Sequence, residues 1–297
     1  LEGVHHAYRT EVNDLMLAAL ARALKRWTGR VRHLVTLEGH GREAWDAGIE
    51  FDRAVGWFTT LYPFRLEAEG DDIRRTIRET KESLRALPRR KVRVPAATPS
   101  LSFNYLGHFD ATPGQGLLHH AAESPGPTIA PDLTRPHDLD LVGMATGGRL
   151  EWSLLFHPGR FRRECAERLL SLFREELLAV AAHCRARTAG EATPSDLADS
   201  TLTLGEFDRL MTALGSRAAL VREICLLNPL QEGLLLEMLL DRASGAYFVQ
   251  LDLTVRGEID RAAFEAAWMD VAGRHPILRS IFVHENLDRP RQVILEN

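Results

Sequence analysis

A hairpin with a long helix behind it limits the fold of this chain more than any other stretch. Asp138–Met144 and Arg149–Phe156 alternate apolar and polar side chains with the period of two of a half-buried strand. Between them Gly147-Gly148 suits a primed two-residue turn, which needs positive φ at both central positions. The pattern then switches to the helical period: over about Arg162–Arg185, residues Leu169, Leu170, Phe173, Leu177 and Val180 fall on one side. A sheet with an apolar face, followed by a helix with an apolar stripe, has one economical solution, which is to lay the helix on the sheet.

The preceding residues repeat this logic. Thr10 is placed to cap a helix through about Trp27, with Glu11 and Asp14 at its positive end, a stripe of Val12, Leu15, Leu20, Leu24 and Trp27, and Gly29 as a stop. His33–Leu37 reads as a buried strand ending just before Glu38, and another strand starts at about Phe64, after Pro63, which donates no ladder hydrogen bond. Asp71 opens a helix with Ile73, Ile77, Leu84 and Leu87 on one side, and Pro88 ends it. Leu101–Leu106 is a short strand, and the Pro- and Gly-bearing stretch from Gly114 to Pro136 is a long irregular connection. The fold class is therefore mixed α/β, an α+β layered arrangement with helices on one face.

Composition shifts divide the chain. Residues 1–187 form the first unit; about Thr188–Ser200 is rich in Ala, Thr, Gly, Ser, Asp and Pro, so residues 188–220 are a linker with a short helix at about Leu204–Leu214. Residues 221–297 start a new pattern. Leu230–Leu240 is helical, Val249–Arg256 alternates strictly as a half-buried strand, Asp260 caps a helix with Phe264, Ala267, Trp268 and Val271 inward, and Ile277–Val283 is a further strand. That order resembles the opening of a domain rather than a whole one.

Charge and cysteine content narrow the partners. The 37 basic and 41 acidic residues are spread along the chain, giving no broad positive field for nucleic acid. No run approaches the roughly 20 apolar residues that span a bilayer, so no membrane partner is expected. Cys165, Cys184 and Cys225 are odd in number and have no CxxC spacing, which points to a reducing, cytoplasmic setting rather than a disulfide framework or zinc site.

The chemistry-bearing residues concentrate in Glu38-Gly39-His40-Gly41-Arg42-Glu43. A carboxylate buried at a strand end has its pKa raised toward neutrality, which suits general acid/base work. The plainer alternative is that Glu38 and Glu43 pair with Arg42, and that His40 is solvated. Asn104 and Tyr105 offer an amide and a phenol suited to holding a carbonyl or oxyanion. His5-His6 and His119-His120 lack a carboxylate or Cys at ligand spacing, so no metal is expected. There is no GxSxG elbow, P-loop or GxGxxG fingerprint.

Four motifs fall in one order: Asn13–Leu20, EGHGRE at 38–43, Arg53-Ala54-Val55-Gly56-Trp57-Phe58-Thr59-Thr60-Leu61-Tyr62-Pro63, and FNYLGHFD at 103–110. Over about residues 7–187 the chain closely resembles the C-terminal lobe of an epimerization domain of nonribosomal peptide synthetases. From Leu227-Asn228-Pro229-Leu230-Gln231-Glu232-Gly233, and again at Arg274-His275-Pro276-Ile277-Leu278-Arg279, it resembles the start of a condensation domain. The resemblance implies a chloramphenicol acetyltransferase-like lobe followed by a partial lobe of the same superfamily. It also implies partners: a peptidyl carrier protein, whose phosphopantetheine presents the substrate as a thioester, and adjoining synthetase domains; no cofactor is bound directly. The implied reaction removes and returns the α-proton of an aminoacyl or peptidyl thioester, with Glu38 as one acid/base, Asn104 and Tyr105 stabilising an enolate-like intermediate, and His40, Arg42 and Trp57 as tunnel or structural support.

The sequence departs from the family in two places. The HHxxxDG motif that supplies the opposing group is absent: His5–Glu11 has Thr10 at the Asp position, and His119–Pro125 has Ser124 there. Where the family carries GxGYG, this chain has Arg89-Arg90-Lys91-Val92-Arg93-Val94-Pro95. The chain alone is therefore expected to be inactive. The alternative, motivated by the altered 89–95 segment and the helix at about Leu204–Leu214, is a non-catalytic piece that docks carrier proteins or joins modules, and a third reading, an acyltransferase, is disfavoured by the missing HHxxxDG.

Overall fold

The computed structural model describes residues 3–39, 53–87, 98–108, 126, 133–197, 201–241, 247 and 249–296. Two compact units divide the chain, residues 1–190 and 191–297.

In the first unit, helix α1 (Val12–Thr28) is capped by Glu11, one residue later than Thr10, because Asp14 reaches back to accept the Glu11 backbone N–H at 2.7 Å. Gly29 ends it with φ 74°, a left-handed conformation that L side chains resist, and donates its N–H to the Lys25 carbonyl at 2.8 Å. A five-stranded sheet follows, in the order β2-β1-β3-β4-β5. Strand β1 (Arg32–Gly39) runs antiparallel to β2 (Thr60–Glu67) and parallel to β3 (Leu101–His108). Strand β4 (Leu139–Thr146) is parallel to β3 and antiparallel to β5 (Arg149–Phe156).

Three strands are longer than their sequences suggest, β3 running on from Leu106 to His108. β1 continues through Gly39, so Glu38 lies within the ladder, opposite Leu61, and not beyond it. β2 begins at Thr60 and contains Pro63, opposite Thr36. It is tolerated because β2 is the edge strand, where only alternate N–H groups face the single neighbour. The hairpin has the expected two-residue turn: Thr146 pairs with Arg149, and Gly147 and Gly148 have φ 56° and 70°.

Helices α1, α2 (Ile73–Arg85, with Asp72 rather than Asp71 at the N-cap position and no side-chain capping bond) and α3 (Arg163–Arg185) contribute Leu15, Met16, Leu20, Ile77, Leu169 and Phe173 to one buried core. The sheet presents Val35, Leu37, Phe64, Leu66, Phe103, Leu139 and Leu141 to it. Buried Glu176 of α3 ties to α1, accepting from Arg22 Nε at 2.6 Å and Arg26 Nη1 at 3.0 Å. Gly143 of β4 is required by packing: a Cβ there would lie 2.6 Å from the Trp152 ring, which is itself edge-on to Phe173 with centroids 5.0 Å apart.

The second unit holds α4 (Leu204–Leu214), β6 (Val221–Leu226), α5 (Pro229–Leu240), α6 (Arg261–Arg274), β7 (Ser280–Val283) and β8 (Arg291–Leu295). Its antiparallel sheet has the order β6-β8-β7, and β6 and β8 are strands that sequence reading did not pick out. Leu197, Leu202, Phe207, Leu210, Leu214, Ile224 and Val293 form its buried apolar cluster, so α4 turns its apolar face into this core.

Three expectations in this unit are overturned. Val249–Arg256 forms no strand; Val249, Leu251, Leu253 and Val255 are 62–88% exposed. An extended segment becomes a strand only by pairing its backbone with a neighbour, and among the described residues this one has no ladder partner. Phe264, Trp268 and Val271 of α6 are exposed rather than inward. Residues Pro276–Arg279 make a 3-10 turn, and the strand expected from Ile277 starts only at Ser280.

Candidate active site

The helices cover one face of the first sheet, and strand alternation sends every second side chain to the other. On β1 the inward residues are Val35 and Leu37, leaving Leu34, Thr36 and Glu38 on the opposite face; on β3 the inward residues are Leu101 and Phe103, leaving Ser102 and Asn104. The parallel ladder sets Thr36 against Ser102 and Leu37 against Phe103. The next step places Glu38 beside Asn104, and Asn104 Nδ2 donates to Glu38 Oε2 at 2.6 Å. A carboxylate only accepts, so the amide nitrogen is the atom that faces it. This contact joins residues 66 positions apart.

Glu38 is exposed on this face, not buried at a strand end. Its amide neighbour occupies Oε2 and, among the described residues, no hydrogen-bond partner holds Oε1. Tyr105, the next residue along β3, belongs to the helix-covered side: it packs on the core with its ring 6.2 Å from that of Trp152, and burial pushes its phenol pKa up. The structure thus brings Glu38 and Asn104 together and does not bring Tyr105 to them. Trp57 is 89% exposed. His40, Arg42, Glu43, His119, His120 and the 89–95 segment lie outside the described residues. His6 serves the backbone, with Nδ1 2.7 Å from the Gly3 carbonyl and Nε2 3.1 Å from that of Arg187.

One polar row escaped the sequence reading. Thr36, Ser102 and Asp140 lie side by side on β1, β3 and β4, one step from the Glu38–Asn104 pair on the same face. Ser102 Oγ donates to Asp140 Oδ1 at 2.6 Å, and Arg135 donates to Oδ2. His137, 7% exposed, sits with Nε2 3.0 Å from Thr36 Oγ1 and Nδ1 3.4 Å from Asp140 Oδ1. The available signal was the recurrence of polar residues at every second position of otherwise apolar strands. Among the described residues no group of three or more His, Cys, Asp or Glu is arranged to hold a metal ion, and no helix is long and apolar enough to cross a membrane.

A mixed sheet with its helices layered on one face, as in the first unit, is the fold of the condensation and chloramphenicol acetyltransferase-like superfamily. The chain belongs to the condensation domain family, whose model matches residues 1–203 and 221–297, within the condensation/epimerization superfamily of nonribosomal peptide synthetases. It is 32% identical over 311 residues to bacitracin synthase 3 of Bacillus licheniformis, covering 100% of this chain and 5% of that protein. It is 33% identical over 353 residues to a chondramide synthase of Chondromyces crocatus, covering 100% of this chain and 9% of that protein. Among solved structures, the epimerization domain from the third module of tyrocidine synthetase B matches with 34% identity and a TM-score of 0.56, over 62% of this chain and 45% of that one. The chain therefore spans a small part of the length of these synthetase relatives.

Proposed function

We propose that residues 1–187 work as the C-terminal lobe of an epimerization domain, and that residues from 221 onward begin a condensation domain, joined by the 188–220 segment. The observation that carries this reading is the Asn104–Glu38 hydrogen bond on the sheet face turned away from the helices. The likeness to the tyrocidine synthetase epimerization domain supports it.

In this reading the substrate is an aminoacyl or peptidyl thioester on the phosphopantetheine of a carrier protein. The thioester carbonyl acidifies the α-carbon. Glu38 takes the α-proton, the electron pair moves into an enolate-like system, and a proton is returned to the opposite face of the α-carbon by a group from another lobe, inverting the centre. Asn104 orients the Glu38 carboxylate so that its second oxygen faces the α-carbon. Tyr105, held by the core, is assigned to the wall supporting Asn104, and Trp57, His40 and Arg42 to the substrate channel. With no HHxxxDG in its sequence, the isolated chain is expected not to racemise substrate.

The test is α-proton exchange in deuterated water by the two-lobed domain within its synthetase. Glu38→Gln keeps the shape and a bond to Asn104 while removing the base, and should lower exchange by about a hundred-fold to ten-thousand-fold. Exchange at the wild-type rate in that variant would remove Glu38 from the chemistry.

The docking alternative draws on the exposed apolar side chains of the second unit, Leu230, Leu236, Phe264 and Trp268 among them. Helix α4 does not serve it, since Phe207, Leu210 and Leu214 are buried. Carrier-protein binding by the chain that is indifferent to Glu38→Gln would favour this reading.

A further inference from the structure

The junction between β1 and β3 is the weakest seam of the first sheet. Eight register pairs join β1 to β2, whereas the ladder between β1 and β3 consists of Thr36–Ser102 and Leu37–Phe103. Glu38 and Asn104 stand just past that short ladder, so backbone pairing alone leaves their separation loosely determined.

The polar row beside them crosses this seam. His137 reaches Thr36 on β1, Asp140 holds Ser102 on β3, and His137 and Asp140 are joined to one another, with Arg135 on the remaining carboxylate oxygen. With its proton on Nδ1 the imidazole accepts the Thr36 hydroxyl at Nε2, and Nδ1 faces Asp140 Oδ1 at 3.4 Å, a polar approach longer than the hydrogen bonds on either side of it. Apolar side chains would close the seam without desolvating a histidine and a carboxylate. What they would lack is direction: hydrogen bonds of fixed length set a distance, and apolar contacts do not.

We infer that Thr36, Ser102, His137 and Asp140, with Arg135, are positioning residues that set the spacing between Glu38 and Asn104 by clamping β1 to β3. Their effect on turnover rests on the acid/base role given to Glu38 above; their effect on the Glu38–Asn104 contact does not. The clamp acts through geometry, so it should change the rate of the proton-transfer step more than substrate affinity.

Two measurements test it. In the 297-residue chain, solvent exchange of the Asn104 carboxamide protons is followed by NMR. Thr36→Val, which replaces the hydroxyl by a methyl of similar size, should accelerate this exchange roughly ten-fold or more, and Thr36→Ser should restore it. Asp140→Asn is the second variant should Thr36→Val fold poorly. In the two-lobed domain within its synthetase, Thr36→Val should lower kcat for α-proton exchange by about ten-fold to a hundred-fold at unchanged KM, and should add nothing to Glu38→Gln. Unchanged Asn104 exchange in both variants, or a kcat loss of equal size with and without Glu38, would overturn the inference. A faster Asn104 carboxamide in a synthetase whose wild type exchanges no α-proton would uphold the clamp and sink the acid/base reading instead.

Discussion

Helices α3 and α6 carry apolar residues at helical spacing, yet they end up in opposite surroundings. On α3, Leu169, Leu172 and Phe173 are each no more than 1% exposed, closed in by α1 and the five-stranded sheet. On α6, Phe264 and Trp268 are 52% and 57% exposed, and their rings meet only edge-on, with centroids 6.3 Å apart. The difference lies in the partners. Apolar periodicity declares which face of an element is to be buried and says nothing of what buries it. The first unit contains both sides of its core; in the second, α5, α6 and the 249–255 run present apolar side chains that no described residue covers.

The largest expected consequence is in local stability. Amide hydrogen exchange followed by mass spectrometry should show α3 protected roughly a thousand-fold or more beyond α6, since buried helices open only with the whole unit while uncovered ones fray. Equal protection of the two helices would break the contrast. Truncation should sharpen it. Phe173→Ala removes a ring packed against Trp152 and is expected to cost about 3–5 kcal/mol. Trp268→Ala, in the exposed helix, should stay within about 0.5 kcal/mol. Denaturant unfolding of the two variants checks both figures, and a large loss from Trp268→Ala would mean that α6 is covered in solution.

The same distinction between faces and partners governs what was legible in the sequence. The β4–β5 hairpin could be read almost to the residue, because Gly147-Gly148 is a local signal that fixes both turn and register. The strand at 249–256 was equally plain as a pattern and did not form, since alternation supplies a face but no ladder partner. At the site, Glu38 and Asn104 were each visible in their motifs, but their contact depends on a parallel register between β1 and β3 that no local signal encodes. Tyr105 shows the converse. Its assignment alongside Asn104 treated two neighbours as one unit, although a period of two sends them to opposite faces of β3. The row of Thr36, Ser102, His137 and Asp140 was out of reach for the same reason as the Glu38 contact: its members come from three strands and a connection, and only the assembled sheet puts them together.

Acid should separate the two units by a smaller but signed effect. In the second unit, Glu206 accepts the Asp288 backbone N–H at 3.0 Å and the Thr203 hydroxyl at 2.7 Å. The Asp288 bond first, and then the Thr203 hydroxyl, hold its carboxyl well below the ordinary value, at about 2. A depressed carboxyl stabilises the folded state fully above its unfolded pKa, and that contribution is lost as pH falls through the folded value. In the first unit Asp14 titrates the other way. Burial raises its pKa, outweighing the Glu11 backbone bond and Arg85, so the folded state takes up a proton more readily than the unfolded one and gains stability as pH falls through that window. Protection of α4 and β8 against hydrogen exchange, measured from about pH 6 down to about pH 3, should therefore decline relative to that of α1. Glu206→Gln removes the titrating group and should flatten the decline while lowering protection at neutral pH. A decline that persists undiminished in that variant would place the acid-sensitive group elsewhere in the second unit.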